Sequence, residues 1–316
     1  MFLFQRANTV NKEMPGIFKK QTNCTLSNII NRMLAIVLLL LFSASACAIT
    51  VTDSLNRTVT LSQPAKRIVA LAPHIVENIY SAGAGHTIVG AVDYCDYPKA
   101  ALSIERVGAI NSVSLEKIIA LKPDLVIVWT TGNGAKVLNQ LTRLGLPVYA
   151  SDPKNFTEIA QSIRDFGRLT GHLHTANAAA DKLDKHVDQL KKQYADKSKV
   201  SVFYQVWSKP LLSLNDKQAI GDVIALCGGT NIFGQAKATV PKVSVESVIS
   251  LNPDVMIATR KPKDTRYVLD IWKKHPNITA VKQKHFYYIH PDIISRHSAR
   301  LIQGATQMCE HIDQAR

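Results

Sequence analysis

Apolar positions along this chain recur with two alternating periods, and the alternation runs through the same order twice. Ile49 to Leu61 alternates apolar and polar residues around Asp53-Ser54-Leu55-Asn56, the pattern of a β-hairpin. Arg67 to Leu71 is a short apolar strand, Pro73 opens a helix that ends near Gly83, and Thr87 to Val92 is the next strand. Further on, Trp129 ends a strand and Gly132-Asn133-Gly134 makes a turn. Lys136 to Leu144 reads as a helix stopped at Gly145, Val148 to Ala150 as a strand and Phe156 to Leu169 as a helix. Thr175 to Tyr194 holds no Gly or Pro and carries apolar residues at Ala176, Ala179, Ala180, Leu183, Val187, Leu190 and Tyr194. That spacing predicts an amphipathic helix of about 20 residues, on the order of 30 Å long. Beyond it come strands at 200–207 and 211–214, helices at 220–226 and around 267–274, a strand at 285–290 and a helix from about Ser295.

One unit occurs in both halves. Residues 113–128 read VSLEKIIALKPDLVIV and residues 243–258 read VSVESVISLNPDVMIA, with eight of sixteen positions identical. Ser114 and Ser244 are placed to accept from the free amides of a helix's first turn. Glu116 and Glu246 stand two residues further in, where the helix dipole favours a carboxylate. Pro123 and Pro253 end each helix, and an Asp precedes a buried strand. A 130-residue interval is too long for a solenoid repeat, so it marks two similar lobes. The fold class that results is α/β: two Rossmann-like lobes with parallel sheets, 49–171 and 197–316, joined by a single long helix within 172–196 and preceded by a signal-peptide region, 1–48. A helical connector resists bending, so lobe closure should be small.

The formal charge of +14 at first suggests a nucleic-acid partner. Residues 1–48 hold five basic residues and one acidic residue, and without them 33 basic residues face 23 acidic ones. These are scattered, with no basic stripe interleaved with aromatics, so a solvated surface and no nucleic acid is the reading. Met33 to Leu41 is an apolar run too short to cross a bilayer, preceded by Lys19, Lys20 and Arg32 and followed by small residues, as in a secretory signal. Cleavage fits after Ala46 or after Ala48, and Met14 is an alternative start. Lipidation of Cys47 is an alternative disfavoured by Ala44, where such signals carry Leu. Export to an oxidising compartment favours pairing two of the remaining Cys95, Cys227 and Cys309. Cys95, between Tyr94 and Asp96, reads as a buried small apolar residue.

No nucleophile, base and orienting acid stand at a recognisable spacing, and G-x-S-x-G, the P-loop and H-E-x-x-H are absent, so the chain reads as no enzyme. His172 and His174 read as solvated, with no metal expected. His290, Asp292, Arg296 and His297 form the densest polar cluster and follow a strand, where this architecture collects ligands. Tyr94 and Trp129, at strand ends, suit the walls of a flat ligand, and His74, at a helix start, is placed to face the same cleft. Glu116 and Glu246, one per lobe, would form matched anchors for a two-fold symmetric partner.

RIVALAP (67–73), GAVDYCDYP (90–98), the run ending in PDLVI, VWTTGN (128–133), LCGGTNIF (226–233) and VSVESVISLNPD together resemble the helical-linker class of periplasmic substrate-binding proteins of ABC importers, and within it the cobalamin (vitamin B12) binders. The resemblance runs from Arg67 onward. It implies a monomeric periplasmic carrier whose cargo is a corrinoid, with no cofactor of its own, and a disulfide between Cys227 and Cys309. It also implies that Glu116 and Glu246 dock on a membrane permease dimer, and that Tyr94, Trp129, Asp292 and Arg296 fall on ligand-contacting positions. Three aromatic positions of that pattern are changed: Ile110 and Val206 stand for a Trp and a Phe, and V-P-W-P is shortened to Val240-Pro241, with Trp207 next to Val206 as a possible replacement. Haem or a ferric siderophore, with Tyr94 or His74 on the iron, is the alternative cargo, and a hydrolase on a similar sheet the alternative class.

Overall fold

The computed structural model describes residues 48–265 and 267–316. The export signal, Met14, the expected cleavage position after Ala46 and Cys47 lie outside the described residues. The chain enters through an antiparallel hairpin of β1 (Ile49–Thr52) and β2 (Thr58–Leu61). Asp53 closes the turn: its Oδ1 accepts from the amides of Leu55 and Arg57 at 2.9 Å, and its Oδ2 from Arg57 Nη2 at 2.6 Å and the Ala150 amide at 3.2 Å. The hairpin is thereby pinned to the first sheet.

That sheet is wholly parallel, in the order β4 (Ile88–Ala91), β3 (Ile68–Ala70), β7 (Leu125–Trp129), β8 (Val148–Ser151). Its helices are α1 (Pro73–Ser81), α2 (Leu115–Ala120), α3 (Thr130–Arg143) and α4 (Phe156–Thr170), and a small ladder of β5 (Gly108–Ala109) and β6 (Ser112–Val113) precedes α2. Gly171, at φ 76°, ends α4, and α5 (Leu173–Tyr194, 22 residues, about 33 Å) folds back along it before leading into the second half. A Cβ on Gly167 would lie 2.1 Å from that of Ala176, so the two helices approach too closely for any other residue there.

The second sheet is β12 (Gly229–Asn231), β9 (Val200–Gln205), β13 (Val255–Thr259), β14 (Phe286–Ile289), again all parallel. Its helices are α6 (Ala219–Leu226), α7 (Val245–Leu251), α8 (Thr279–Lys282), α9 (Pro291–Ile294) and α10 (Leu301–Asp313). In both sheets the first strand has the second on one side and the third and fourth on the other. The duplication seen in the sequence is thus a duplication of topology.

The repeated unit does the same work twice. Ser114 Oγ accepts from the Lys117 amide at 3.3 Å, and Ser244 and Ser247 form a reciprocal cap on α7. The Asp of each Pro-Asp turn then holds the start of the sheet's first strand. Asp124 accepts from the amides of Lys66 and Arg67 at 2.9 and 3.0 Å, and Asp254 from the Ser201 amide and hydroxyl at 2.8 and 2.6 Å. Cys227, capping α6, is disulfide-bonded to Cys309 in α10. Cys95 is buried, and burial pushes its thiol up to about 12, so it stays protonated.

Four segments depart from the sequence reading. The expected Gly132–Gly134 turn is the first turn of α3, which Gly134 interrupts at φ 80°. Asn133 makes this possible, since its side chain accepts from the Trp129 amide and donates to the carbonyls of Leu71 and Ile110, satisfying groups a loop would leave to water. The strand expected to reach Trp207 stops at Gln205, and β10 (Trp207–Ser208) pairs instead with β11 (Leu211–Leu212). Residues 268–274 are a 3-10 helix, beginning one residue after the expected Tyr267. The helix expected from Ser295 begins at Leu301, because the intervening backbone bonds to the first lobe.

Candidate functional site

Parallel sheets gather ligands beyond their carboxyl edge, where connections leave the sheet in opposite directions. Here that switch lies between β3 and β7 in one lobe and between β9 and β13 in the other. His74 and Trp129 sit at the first switch; Gln205, Val206 and Thr259 sit at the second. The two edges face one another, since side chains from the first lobe's edge bond to the segment that follows β14 in the second.

At the first switch Trp129 is half-buried, and its Nε1 donates to Asp152 Oδ1 at 2.9 Å. Its ring occupies the space a Cβ at Gly132 would need, which is why that position is glycine. Asp152 also accepts from the hydroxyls of Thr130, at 2.9 Å, and Thr131, and from Lys154 Nζ at 2.8 Å. Burial works against its ionisation, but the bonds from Lys154 and the threonines outweigh it and hold the carboxyl below its ordinary range. His74 does not face an open cleft as expected. It is 4 % exposed and lies edge-on to Trp129 at 5.3 Å, with its ring 6.0 Å from that of His297. Burial, followed by repulsion from His297, pushes it down to about 3, so it is neutral. Burial likewise lowers His297.

Tyr94 stands on the loop after β4, 73 % exposed, in the left-handed backbone region at φ 63°. A non-glycine residue held there costs free energy, and such positions concentrate where a side chain is being presented. Tyr97, also exposed, covers the Arg300 guanidinium at 3.8 Å.

Arg296 bridges the lobes. Its Nη1 donates to Glu77 Oε1 at 2.8 Å and Asp96 Oδ1 at 2.7 Å, both in the first lobe, and its Nη2 donates to Asp292 Oδ1 at 3.1 Å. Burial would lower its affinity for the proton, but the three carboxylates outweigh that and raise it. Asp96 is held low in turn, with Arg296 prevailing over burial and the charge of Lys261 adding to the effect. Asp292 and Arg296 are therefore brought together as expected. Glu77, Asp96, Asp152 and Arg300 are members of the site that no local pattern marked.

The second lobe offers a 390 Å³ hollow lined by Gln205, Val206, Trp207, Ser208, Lys209, Thr259 and Val268. Val206 is partly exposed there, and Trp207 is more exposed than it. Tyr267, next in sequence to Val268, is exposed and has Arg260 over its ring at 4.5 Å. Ile110 packs against the first lobe's core and lends its carbonyl to Asn133. Glu116 and Glu246 are exposed at the first turns of α2 and α7. A helix that leads into a strand of a parallel sheet starts at the sheet's carboxyl edge, so each glutamate stands on the rim of its own lobe. The Glu246 carboxyl is held low by its own amide and the Ser244 hydroxyl. His172 is half-buried against His86 at 5.2 Å and His174 is exposed. Among the described residues, no three His, Cys, Asp or Glu side chains are grouped to hold a metal ion, and no helix is long and apolar enough to cross a membrane.

The vitamin B12-binding protein of Vibrio campbellii is 36% identical over 253 residues, which are 80% of this chain and 91% of that protein. Among solved structures, the periplasmic vitamin B12 binding protein of Vibrio cholerae superposes with a TM-score of 0.74 at 32% identity, covering 80% of this chain and 98% of that one. A possible iron-binding (periplasmic solute-binding) protein of Staphylococcus epidermidis follows, with a TM-score of 0.69 at 27% identity over 79% of this chain and 99% of that one. The family model described as periplasmic binding protein matches residues 68–293. With twin parallel sheets and a helical connector, this chain belongs to the periplasmic binding protein family.

Proposed function

We propose that this chain is a periplasmic carrier that captures cobalamin between its two lobes and delivers it to the permease dimer of an inner-membrane ABC importer. It acts as a monomer and catalyses no reaction. What supports the reading is the Asp292–Arg296 pair bonded across to the first lobe, with Tyr94 and Trp129 at the ends of first-lobe strands, in a chain so like the Vibrio vitamin B12-binding proteins. A corrinoid is a broad amphipathic disc with an amide-rich rim. It needs aromatic faces and paired donors and acceptors, which Tyr94, Trp207 and Tyr267 on one hand and Asp292 with Arg296 on the other are suited to supply. Trp207 and Tyr267 would take the place of the aromatic walls absent at Ile110, Val206 and Val240-Pro241. Export through residues 1–48 brings the carrier to the periplasm, and Glu116 and Glu246 meet basic residues of the two permease copies.

Haem or a ferric siderophore is the second reading. The exposed lysines Lys209, Lys261 and Lys263 favour it by suiting an anionic cargo, whereas the burial of His74 against Trp129 removes one iron ligand it would use. Calorimetric titration of the mature protein separates the two. Cyanocobalamin is expected to bind with micromolar or tighter affinity, about −8 kcal/mol or better, while haemin gives no saturable heat. Silence with cyanocobalamin and saturation with haemin would transfer the assignment.

A further inference from the structure

The two lobes are joined at their facing edges by one buried carboxylate. Glu77, in α1, is 3 % exposed. Its Oε1 accepts from Arg296 Nη1 at 2.8 Å and Arg300 Nη1 at 3.1 Å, and its Oε2 accepts from the Ser298 hydroxyl. All three donors belong to the second lobe. Asn78, the next residue and equally buried, binds the same segment, donating to the His297 carbonyl and accepting from the Ala299 amide, both at 3.1 Å. Two adjacent side chains of one helix therefore hold residues 296–300 of the other lobe, from which the helix expected after Ser295 is excluded.

A carboxylate this deep has lost its water and needs donors from the protein in its place, and two guanidinium groups with a hydroxyl meet that need. Arg300 has a second hold in the ring of Tyr97. Arg296 is different, since its remaining bonds to Asp96 and Asp292 are to less buried groups nearer the cleft. These three bonds engage three of its five N–H donors and leave Nε and one hydrogen of Nη2 outside them. Without Glu77, the bonds to the two outer carboxylates would be what remains of the three that hold the guanidinium.

We propose that Glu77 is a positioning residue for ligand capture, holding Arg296 from beneath so that the cleft is formed before the ligand arrives. The inference rests on the reading that Arg296 meets the ligand. Ordering a long side chain only on binding lowers affinity, so Glu77→Gln is expected to weaken cyanocobalamin binding on the order of 10-fold. The informative variants are double ones. Glu77→Gln should cost nothing further in an Arg296→Met background and keep its full cost in an Arg300→Met background. An unchanged affinity, or an equal loss in both backgrounds, overturns the proposal. If the Gln variant does not fold, Glu77→Asp, which withdraws the carboxylate by one methylene, takes its place in the same cycle. Hydrogen exchange of ligand-free protein adds a readout independent of cargo: amides 297–300 should exchange faster in Glu77→Gln, and unchanged exchange refutes the clamp. Failure of the parent to bind cyanocobalamin would overturn the cobalamin reading, while the exchange result would still decide the role of Glu77.

Discussion

Charge reversal of both rim glutamates, Glu116→Lys together with Glu246→Lys, is expected to reduce delivery of cobalamin across the membrane to the level seen without the carrier. Affinity for the ligand should stay within about twofold of the parent, since exposed charges outside a binding site steer partners and add little to the site itself. The two side chains are exposed, stand on the first turns of equivalent short helices, and belong to equivalent units of the two lobes. Two like anchors suit a partner with two-fold symmetry, where each meets the same surface on a different copy. Lys at an exposed helix start opposes the dipole only weakly, too little to unfold lobes of this size. Uptake of labelled cobalamin into vesicles carrying the permease, set beside calorimetry on the same variant, separates docking from capture. A variant that binds its ligand much more weakly would count against the docking role.

Acid is expected to weaken the fold, and His74 to account for a definable part of the loss. Its folded value, about 3, lies below the ordinary 6.5 because of burial and then His297. Lowered values mean that the unfolded chain binds the proton first. The contribution is whole above pH 6.5 and is lost progressively as pH falls, until the folded form also protonates near 3. Well inside that window the slope from one such group is about 1.4 kcal/mol per pH unit. Other groups titrate alongside it. His297 and His311 are also lowered by burial, whereas Asp165 and Asp222 are raised by burial and shift stability in the opposite sense. The comparison that isolates His74 is therefore urea unfolding of the parent and of His74→Gln between pH 7 and pH 4.5. The two stability curves should converge as pH falls, and parallel curves would show that His74 is not held neutral in the fold.

Much of this architecture was legible because it is written in short-range signals. A capping Ser, a Glu inside the first turn and a Pro-Asp stop recur 130 residues apart, and each acts within a few residues of itself. The long connector declared itself by spacing alone. The lobe seam did not. Glu77 and Arg296 are 219 positions apart, and nothing around Glu77 distinguishes it from any other polar residue on a helix. For the same reason residues 295–300 read as the start of the terminal helix: their own composition permits one, and the segment is instead bonded to the distant Asn78 and Glu77. His74 was legible as a residue at a strand's end and illegible as a buried one, because what covers it, Trp129 and His297, comes from two other elements. At the second switch the sequence marked Val206 as a lost aromatic. The exposure of Trp207 depends on how β9 ends and β10 begins, and the placement of Tyr267 beside Arg260 on the segment that follows β13.

Central to all of this is the identity of the cargo, and the absorption spectrum of the carrier purified from its own periplasm with ligand bound tests it most directly. A corrin spectrum, in one-to-one proportion with protein, is what facing sheet edges furnished with Tyr94, Trp129, Asp292 and Arg296 predict. A haem Soret band or the charge-transfer band of a ferric siderophore in the same proportion would contradict it.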